Sequence, residues 1–200
     1  MRKKQVKRDI KFNKRASVYD EQFEGILSEK VYRLVTNTIK LSPGDKILDV
    51  GCGTGTILKR LNDKCSIEGF GIDIEEKMIE QAKKKCPQMK IQICDCSNMP
   101  FEDNTFDSVI ACMTFHHFYD QTAFAKEVSR ILKKGGKLYL ADPSFPFLLR
   151  KIINMILYRH NLVGKFSTVQ EIAQLFHSYG LIKIEEKEDG FFQLIVFSKY

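Results

Sequence analysis

An apolar strand runs directly into a glycine-rich turn at residues 46–56. This stretch restricts the possible folds of the chain more than any other part of its sequence. The strand, interrupted only by Asp49, is typical of a buried parallel strand whose carboxyl end opens onto a ligand crevice. Gly51, Gly53 and Gly55 follow at alternate positions, where glycine allows positive φ angles and a close approach of a ligand to the backbone. The stretch therefore predicts a cofactor or nucleotide site, although the turn alone leaves its ligand open.

Strands and helices alternate along most of the chain. Apolar and alternating runs predict strands at residues 46–50, 67–72, 89–94, 106–112, 137–141, 182–187 and 191–198. Apolar residues at helical spacing predict helices at residues 21–40, 54–61, 75–85, 124–132, 145–158 and 168–179, the fourth stopped by Gly135 and Gly136. This order predicts an α/β fold: a single doubly wound, mostly parallel seven-stranded sheet with an antiparallel C-terminal hairpin.

The net charge of +7 is concentrated in a basic N-terminal arm, residues 1–18. Residues 1–15 contain eight lysines or arginines and one aspartate, so the rest of the chain is neutral. Such an arm is typical of a solvated tail, and it also permits nucleic-acid binding. No apolar run reaches the roughly 18 residues of a membrane span, and no signal peptide is evident, so we expect a cytoplasmic protein without a transmembrane segment.

The six cysteines are scattered and contain no CxxC pair. Cys94 and Cys96 project to the same face of an extended segment, but no second pair or histidine at metal spacing accompanies them. We therefore predict no metal site, and we expect reduced thiols that serve as small apolar side chains.

Polar residues follow the predicted parallel strands at the edge where their carboxyl ends meet. Asp49, Asp73 and Asp95 end the first three strands, and the segment 112–117, with its His116–His117 pair, follows the fourth. A single aspartate in such a place is often a helix cap, and Asp73 suits that role for the helix near Glu75. Three together favour one ligand with several hydrogen-bonding groups.

These residues resemble the class I S-adenosylmethionine-dependent methyltransferases, and within them the small-molecule branch that includes the ubiquinone/menaquinone biosynthesis enzymes. The resemblance covers residues 19–200, so we expect a Rossmann-like methyltransferase domain there. It is carried by the motifs Asp49-Val-Gly-Cys-Gly-Thr-Gly55, Gly71-Ile-Asp-Ile74, Asp95-Cys-Ser-Asn-Met-Pro-Phe101, Phe106-Asp-Ser-Val-Ile110, Thr114-Phe-His-His-Phe118 and Leu132-Lys-Lys-Gly-Gly-Lys-Leu138.

The resemblance implies S-adenosylmethionine as the cofactor, with the turn Gly51, Cys52, Gly53 and Gly55 beneath its methionine and ribose parts. It implies further contacts by position: Asp49 with the ammonium, Asp73 with both ribose hydroxyls, Ile74, Asp95 and Cys96 with the adenine, and Cys112 and Met113 with the methionine end. Tyr19 resembles family positions that close over the carboxylate.

A dinucleotide oxidoreductase is the nearest competing interpretation, because it also places an acid on a ribose after a glycine turn. Two residues argue against it. Thr56 stands where the dinucleotide motif has Gly or Ala, and Asp49 would repel a pyrophosphate but suits a cationic amine.

Methyl transfer mainly requires that the acceptor atom is held in line with the methyl group, so a general base is needed only for some acceptors. His116 and His117 are the catalytic candidates, and packing against the sheet or a loop hydrogen bond would explain them equally well.

The acceptor is less well determined by the sequence. Ala111-Cys-Met-Thr114 follows the fourth strand where many base and glutamine methyltransferases have Asn/Asp-Pro-Pro-Tyr, so we expect a small-molecule acceptor. The alternatives are an RNA or DNA methyltransferase that uses the basic arm and a non-catalytic cofactor-binding module. The apolar segment 143–167 predicts a substrate lid, an ordinary core-facing helix or a membrane-surface helix. The sequence does not predict the oligomeric state.

Overall fold

The computed structural model describes residues 23–160 and 164–200. The predictions for the basic arm and for Tyr19 lie outside these residues. Within them, the chain forms one seven-stranded sheet in the order β3-β2-β1-β4-β5-β7-β6. The strands are β1 Lys46–Val50, β2 Glu68–Asp73, β3 Lys90–Ile93, β4 Phe106–Cys112, β5 Leu132–Pro143, β6 Leu181–Asp189 and β7 Phe192–Lys199.

Strands β1 to β5 pair in parallel, and β7 lies antiparallel between β5 and β6. The predicted mostly parallel seven-stranded sheet and its antiparallel C-terminal hairpin are thus confirmed. The chain winds outward from β1 to β2 and β3 on one side and continues with β4 on the other side. The carboxyl ends of β1 and β4 therefore border a topological switch point, which is where doubly wound sheets bind ligands.

The described residues contain six α-helices: α1 Phe23–Thr38, α2 Thr56–Lys64, α3 Glu76–Lys85, α4 Gln121–Ile131, α5 Phe147–Arg159 and α6 Val169–His177. Helices α4 and α6 pack on one face of the sheet, where Phe124, Val128 and Phe176 join the hydrophobic core. Helices α1, α2 and α3 contribute to the cores on the opposite face. Both faces of the central strands are therefore buried, as their nearly continuous apolar sequence requires.

The fifth strand is longer than its sequence predicts. Helix α4 ends at Ile131 rather than at the glycine pair, and β5 begins at Leu132 and includes both glycines. Leu132 pairs with Phe106, whereas the next aligned pair is Lys137 with Ser108, so the extra residues of β5 form an irregularity in the ladder. Gly135 has a φ of 76° there. The two glycines therefore lie in a bulged part of β5 and do not end helix α4.

Helix α5 differs from the other helices because none of its residues is buried. Most of its apolar side chains are exposed, including Leu148 and Met155, whereas Ile153 and Leu157 are half-buried. The interpretation of this segment as an ordinary core-facing helix is therefore wrong.

Candidate functional site

An open cleft of about 710 Å³, its mouth included, lies at the carboxyl ends of β1, β2 and β4. It occupies the switch point of the sheet. The residues that line it come from the glycine turn, from these strand ends, from the loop after β4 and from helices α1, α2 and α3: Tyr32, Asp49, Gly51, Cys52, Gly53, Thr56, Ile57, Asp73, Glu75, Met78, Cys112, Met113, Thr114 and His117.

The glycine turn forms the floor of this cleft. The backbone N–H groups of Gly51 and Cys52 both donate to the carbonyl of Ile72, with N···O distances of 2.7 and 3.0 Å. Gly51 has a φ of 72°, and a Cβ there would overlap the Thr114 side chain, so this position requires glycine. Gly53 also has a positive φ, but a Cβ there would meet no atom within 4 Å. The turn is therefore packed on one side and open on the other.

Asp49 is the most deeply buried acid of the cleft, with a relative exposure of 2%. Burial raises the pKa of its carboxyl to about 7, and the nearby charge of Asp73 contributes to this shift. The folded chain thus holds a carboxylate where it lacks solvation. A cationic group in the cleft would stabilise its charged form.

Asp73 connects the end of β2 to the glycine turn. One carboxylate oxygen accepts from the Gly53 N–H at 2.9 Å, and the other accepts from the Glu75 N–H at 2.9 Å. Helix α3 begins at Glu76, and its N-cap residue Glu75 makes no side-chain cap hydrogen bond. Asp73 therefore fixes the chain that leads into α3, although it is not the cap. Asp73 also lines the cleft, and a carboxylate oxygen can accept more than one hydrogen bond.

The loop after β4 forms the wall opposite Asp73. Met113 has a φ of 56°, which is uncommon for a residue with a side chain, and its N–H donates to the Ala141 carbonyl at 2.7 Å. This left-handed residue turns the chain from β4 into the 3-10 helix Phe115–His117. Cys112, Met113 and His117 consequently all face the cleft. Burial raises the pKa of the Cys112 thiol well above its usual range, so this thiol is neutral.

The two adjacent histidines occupy different environments. His117 lines the cleft, whereas His116 is buried and bonded to Asp142 at the end of β5. The Nδ1 of His116 lies 3.0 Å from one Asp142 oxygen, and the His116 backbone N–H donates to the other oxygen at 2.7 Å. The His116 ring also stacks on Phe166, with centroids 4.9 Å apart. Asp142 therefore fixes the orientation of His116 and of the loop that carries His117.

The structure brings eight of the predicted site residues into the cleft: Asp49, Gly51, Cys52, Gly53, Asp73, Cys112, Met113 and His117. The others that it describes lie outside the lining: Gly55, Ile74, Asp95, Cys96 and His116. Asp95 is exposed and accepts a hydrogen bond from the Ser97 N–H at 2.8 Å. Their roles toward a cofactor stay predictions.

Four polar residues of the lining, Tyr32, Thr56, Glu75 and Thr114, were not predicted as site residues from the sequence, although Thr56 was noted as the residue that follows the glycine turn. Glu75 is buried and lies two residues after Asp73, so the strand-end pattern contained the signal for it. Thr114 lies between Met113 and the histidines, within the segment that the sequence singled out. Tyr32 comes from the middle of α1, and no local pattern distinguishes it from other half-buried helix residues.

The charges of the cleft select its ligand. Asp49, Asp73 and Glu75 line it, and none of the described lysines or arginines does. Such a lining disfavours a phosphate and suits a ligand with a cationic group and hydroxyl donors. The open side of Gly53 leaves space for that ligand against the backbone.

Comparisons with known proteins agree with this geometry. Residues 48–140 match the family described as a methyltransferase domain. The chain is 31% identical to the ubiquinone/menaquinone biosynthesis C-methyltransferase UbiE of Wigglesworthia glossinidia brevipalpis, over 84% of this chain and 71% of that protein. It is 33% identical to an uncharacterized methyltransferase of Anoxybacillus flavithermus, over 65% of this chain and 62% of that protein.

The chain spans less than two thirds of the length of most curated relatives that it matches, for example 54% of the UbiE of Geotalea daltonii. A solved complex of the Haloferax volcanii Trm112 methyltransferase activator with a methyltransferase has the same fold, with a TM-score of 0.79 and 19% identity over 94% of this chain and 96% of that chain. Together with the cleft at the switch point, these matches show that the chain belongs to the class I S-adenosylmethionine-dependent methyltransferases.

Proposed function

We propose that this protein transfers a methyl group from S-adenosylmethionine to a small-molecule acceptor. The observation that carries the proposal is the acidic cleft on the glycine turn, with Asp49 and Asp73 on its floor and His117 on its wall. Its family uses S-adenosylmethionine in general, and several relatives are named ubiquinone/menaquinone biosynthesis C-methyltransferase or demethylmenaquinone methyltransferase, which favours a small-molecule acceptor. When bound, the cofactor supplies an activated methyl group on a sulfonium centre.

In this proposal Asp49 holds the ammonium of the cofactor, because it is a buried carboxylate whose charged form needs a cation. Asp73 accepts from the ribose hydroxyls, since each oxygen of a carboxylate can accept more than one hydrogen bond. Ile74, Asp95 and Cys96 hold the adenine. Gly51, Cys52, Gly53 and Gly55 support the methionine and ribose parts from below. Tyr19 closes over the carboxylate.

Cys112 and Met113 flank the methionine end of the cofactor, and the acceptor binds next to that end, on the side of His117. Of the two histidines, His117 is the one that lines the cleft, so it is the better candidate to take a proton from an acceptor. His116 acts as a positioning residue, because its ring and backbone are both bonded to Asp142. A general base is needed only if the acceptor loses a proton during methyl transfer.

Residues 143–167 form the proposed substrate lid. The described end of this segment returns to the histidine loop, where the Lys165 N–H donates to the His116 carbonyl at 2.9 Å. Phe166 stacks on the His116 ring. These contacts support a lid that is attached to the acceptor side of the cleft.

Isothermal titration with S-adenosylhomocysteine tests the cofactor assignment. The wild type is expected to bind, and Asp73→Ala is expected to bind at least about a hundredfold more weakly, because a charged hydrogen-bond acceptor for two hydroxyls is lost. Asp63→Ala is the matched control, since Asp63 is an exposed carboxylate on α2, paired with Lys59. Absence of binding by the wild type, or equal binding by Asp73→Ala, would contradict the assignment.

A screen of small-molecule acceptors with labelled cofactor then separates an enzyme from a binding module. Methyl transfer to any of them excludes a non-catalytic module.

A further inference from the structure

Helix α5 presents a continuous apolar face to solvent. Leu148, Ile152, Met155 and Ile156 form this outer face, and Leu148 and Met155 are 72% and 59% exposed. The residues on the opposite side include Arg150 and Asn154, which contact the protein. Ile153 and Leu157 are half-buried on that inner side, so α5 is apolar on both sides, whereas the outer side of an ordinary surface helix is polar.

Polar contacts hold the helix in this orientation. The Asn154 amide donates to the Phe166 carbonyl at 2.8 Å and accepts from the Phe166 N–H at 3.0 Å. The side chain of Arg150 is 13% exposed and lies 3.4 Å from a Glu171 carboxylate oxygen. A rotation that buried the outer face would break these contacts. The outer face is thus available to a partner.

The charges of α5 restrict that partner. The helix contains Arg150, Lys151 and Arg159 and no acidic residue. Lys151 and Arg159 are exposed and lie beside the outer face, and Lys151 is 4.3 Å from the centroid of the Phe147 ring. A second copy of α5 would bring cations against cations, and the basic arm carries the same sign of charge. An anionic partner surface is electrostatically complementary to the helix.

The shape and aromatic residues of α5 suit a lipid surface. Its 13 residues extend about 20 Å, less than the roughly 30 Å of a bilayer core. No helix in the described part of the chain is long and apolar enough to span a membrane. Tyr158, at the end of α5, is 87% exposed, and tyrosine favours the boundary between lipid and water. These features are typical of helices that lie in the membrane interface.

We propose that the outer face of α5 docks the protein on an anionic phospholipid bilayer, with its apolar side chains at the acyl boundary and Lys151 and Arg159 near lipid phosphates. This docking does not depend on the proposed methyl transfer. The histidine loop is attached to α5 through Asn154 and Phe166, so the same contacts would place the acceptor side of the cleft next to the bilayer.

Sedimentation with vesicles tests the proposal on the full chain. With phosphatidylcholine vesicles that contain about one third phosphatidylglycerol, the double variant Leu148→Gln/Met155→Gln is expected to bind on the order of tenfold more weakly than the wild type. Lys151→Gln/Arg159→Gln should lose about fivefold per charge at low salt. The matched control is Ile182→Gln/Ile184→Gln, which alters two exposed apolar residues of β6 and should bind like the wild type.

A fluorescent reporter gives a second readout. The chain contains no tryptophan, so Tyr158→Trp introduces a single reporter at the end of α5. Its emission is expected to shift to shorter wavelength with anionic vesicles and to remain unchanged with phosphatidylcholine alone. All variants retain the basic arm, so a difference between them belongs to α5.

Circular dichroism and urea unfolding check that the variants fold, and because neither needs a bound cofactor, this test stays separate from that of the proposed function. Equal vesicle binding by the wild type and Leu148→Gln/Met155→Gln, or no binding by either, would overturn the proposal. A dimer in sedimentation velocity that dissociates in the double variant would also overturn it, since a second copy would then cover the outer face.

Discussion

At the scale of single residues, the buried carboxyl of Asp49 lowers the stability of the ligand-free protein when it is charged. The carboxyl is buried, and its pKa is raised to about 7, whereas an aspartate in an unfolded chain titrates near 4. Between these values the folded state binds a proton that the unfolded state does not bind. The free energy of unfolding of the ligand-free protein therefore falls as the pH rises through this range.

Asp49→Asn is expected to remove this pH dependence. At pH 8 the variant should be more stable than the wild type by up to about 4 kcal/mol, since each unit of the pKa shift corresponds to about 1.4 kcal/mol, and near pH 4 this advantage should disappear. Urea unfolding at both pH values measures it, with Asp63→Asn as the exposed control. The same stability difference at both pH values would contradict the raised pKa.

Asp49→Asn is expected to bind the ligand more weakly than the wild type, although it is more stable at pH 8. If Asp49 holds the cofactor ammonium, the wild-type affinity for S-adenosylhomocysteine falls as the pH drops below about 7, because protonation removes the carboxylate. The variant should bind at least about tenfold more weakly at pH 8 and show a flatter pH profile. A pH profile that is unchanged by the substitution would assign the ammonium to another residue.

The strand-end pattern predicted Asp49 and Asp73 because it depends only on where strands stop. It could not predict the bond between His116 and Asp142, since these residues are 26 positions apart and only the pairing of β4 with β5 brings them together. Tyr32 was missed for the same reason. Its position over the cleft results from the packing of α1 and has no local sequence signal.

At the scale of elements, helix α6 illustrates a local pattern that determines its own structure. Thr168 and Glu171 form a capping box: the Thr168 hydroxyl accepts from the Glu171 N–H at 3.1 Å, and the Glu171 carboxylate accepts from the Thr168 N–H at 2.7 Å. The Thr168 N–H and the Thr168 hydroxyl both donate to the Glu171 carboxylate, and these two hydrogen bonds lower the pKa of Glu171. Helix α6 in turn buries Ile172 and Phe176 against the sheet.

Thr168→Ala is expected to lower the free energy of unfolding by about 1 kcal/mol, because the first turn of α6 loses a cap. Ser178→Ala, at the opposite end of the same helix, removes a hydroxyl that donates to the Gln174 carbonyl and should cost less than about 0.5 kcal/mol. Urea unfolding compares the two variants. Equal losses would show that the capping box contributes no specific stability.

Two other elements were not fully predictable for physical reasons. The glycine pair in residues 132–143 is compatible with a helix end and with a bulged strand, and the choice depends on pairing with β4. The apolar periodicity of α5 is the same whether its apolar side faces inward or outward. Only the contacts of Asn154 and Arg150 decide between these orientations.

At the scale of the whole molecule, the strand order assembles the cleft from distant parts of the sequence. Asp49, Asp73 and Cys112 end strands that are neighbours in the order β2-β1-β4. The rule that parallel strands present their carboxyl ends at one edge therefore predicted this group correctly. The same rule does not determine how deep the cleft extends, and Asp95, at the end of the outer strand β3, does not line it.

The distribution of charge separates the site from the basic arm. Residues 1–15 account for the net charge, whereas the described residues of the cleft extend from Tyr32 to His117. Deletion of residues 1–15 is therefore expected to leave the affinity for S-adenosylhomocysteine within about twofold of the full-length value, because no charge of the cleft is removed. The deletion retains Tyr19, and Tyr19→Ala in the full chain is the matched test of closure over the cofactor.

The same deletion decides whether the arm serves nucleic-acid binding. Any gel shift of a short RNA or DNA by the full chain should weaken with salt and disappear on deletion, since contacts between lysines and phosphates release counterions. If the acceptor is a small molecule, methyl transfer to it should be unaffected by the deletion. Loss of both the shift and the methyl transfer would instead favour a nucleic-acid methyltransferase, in which the arm delivers the acceptor to the cleft.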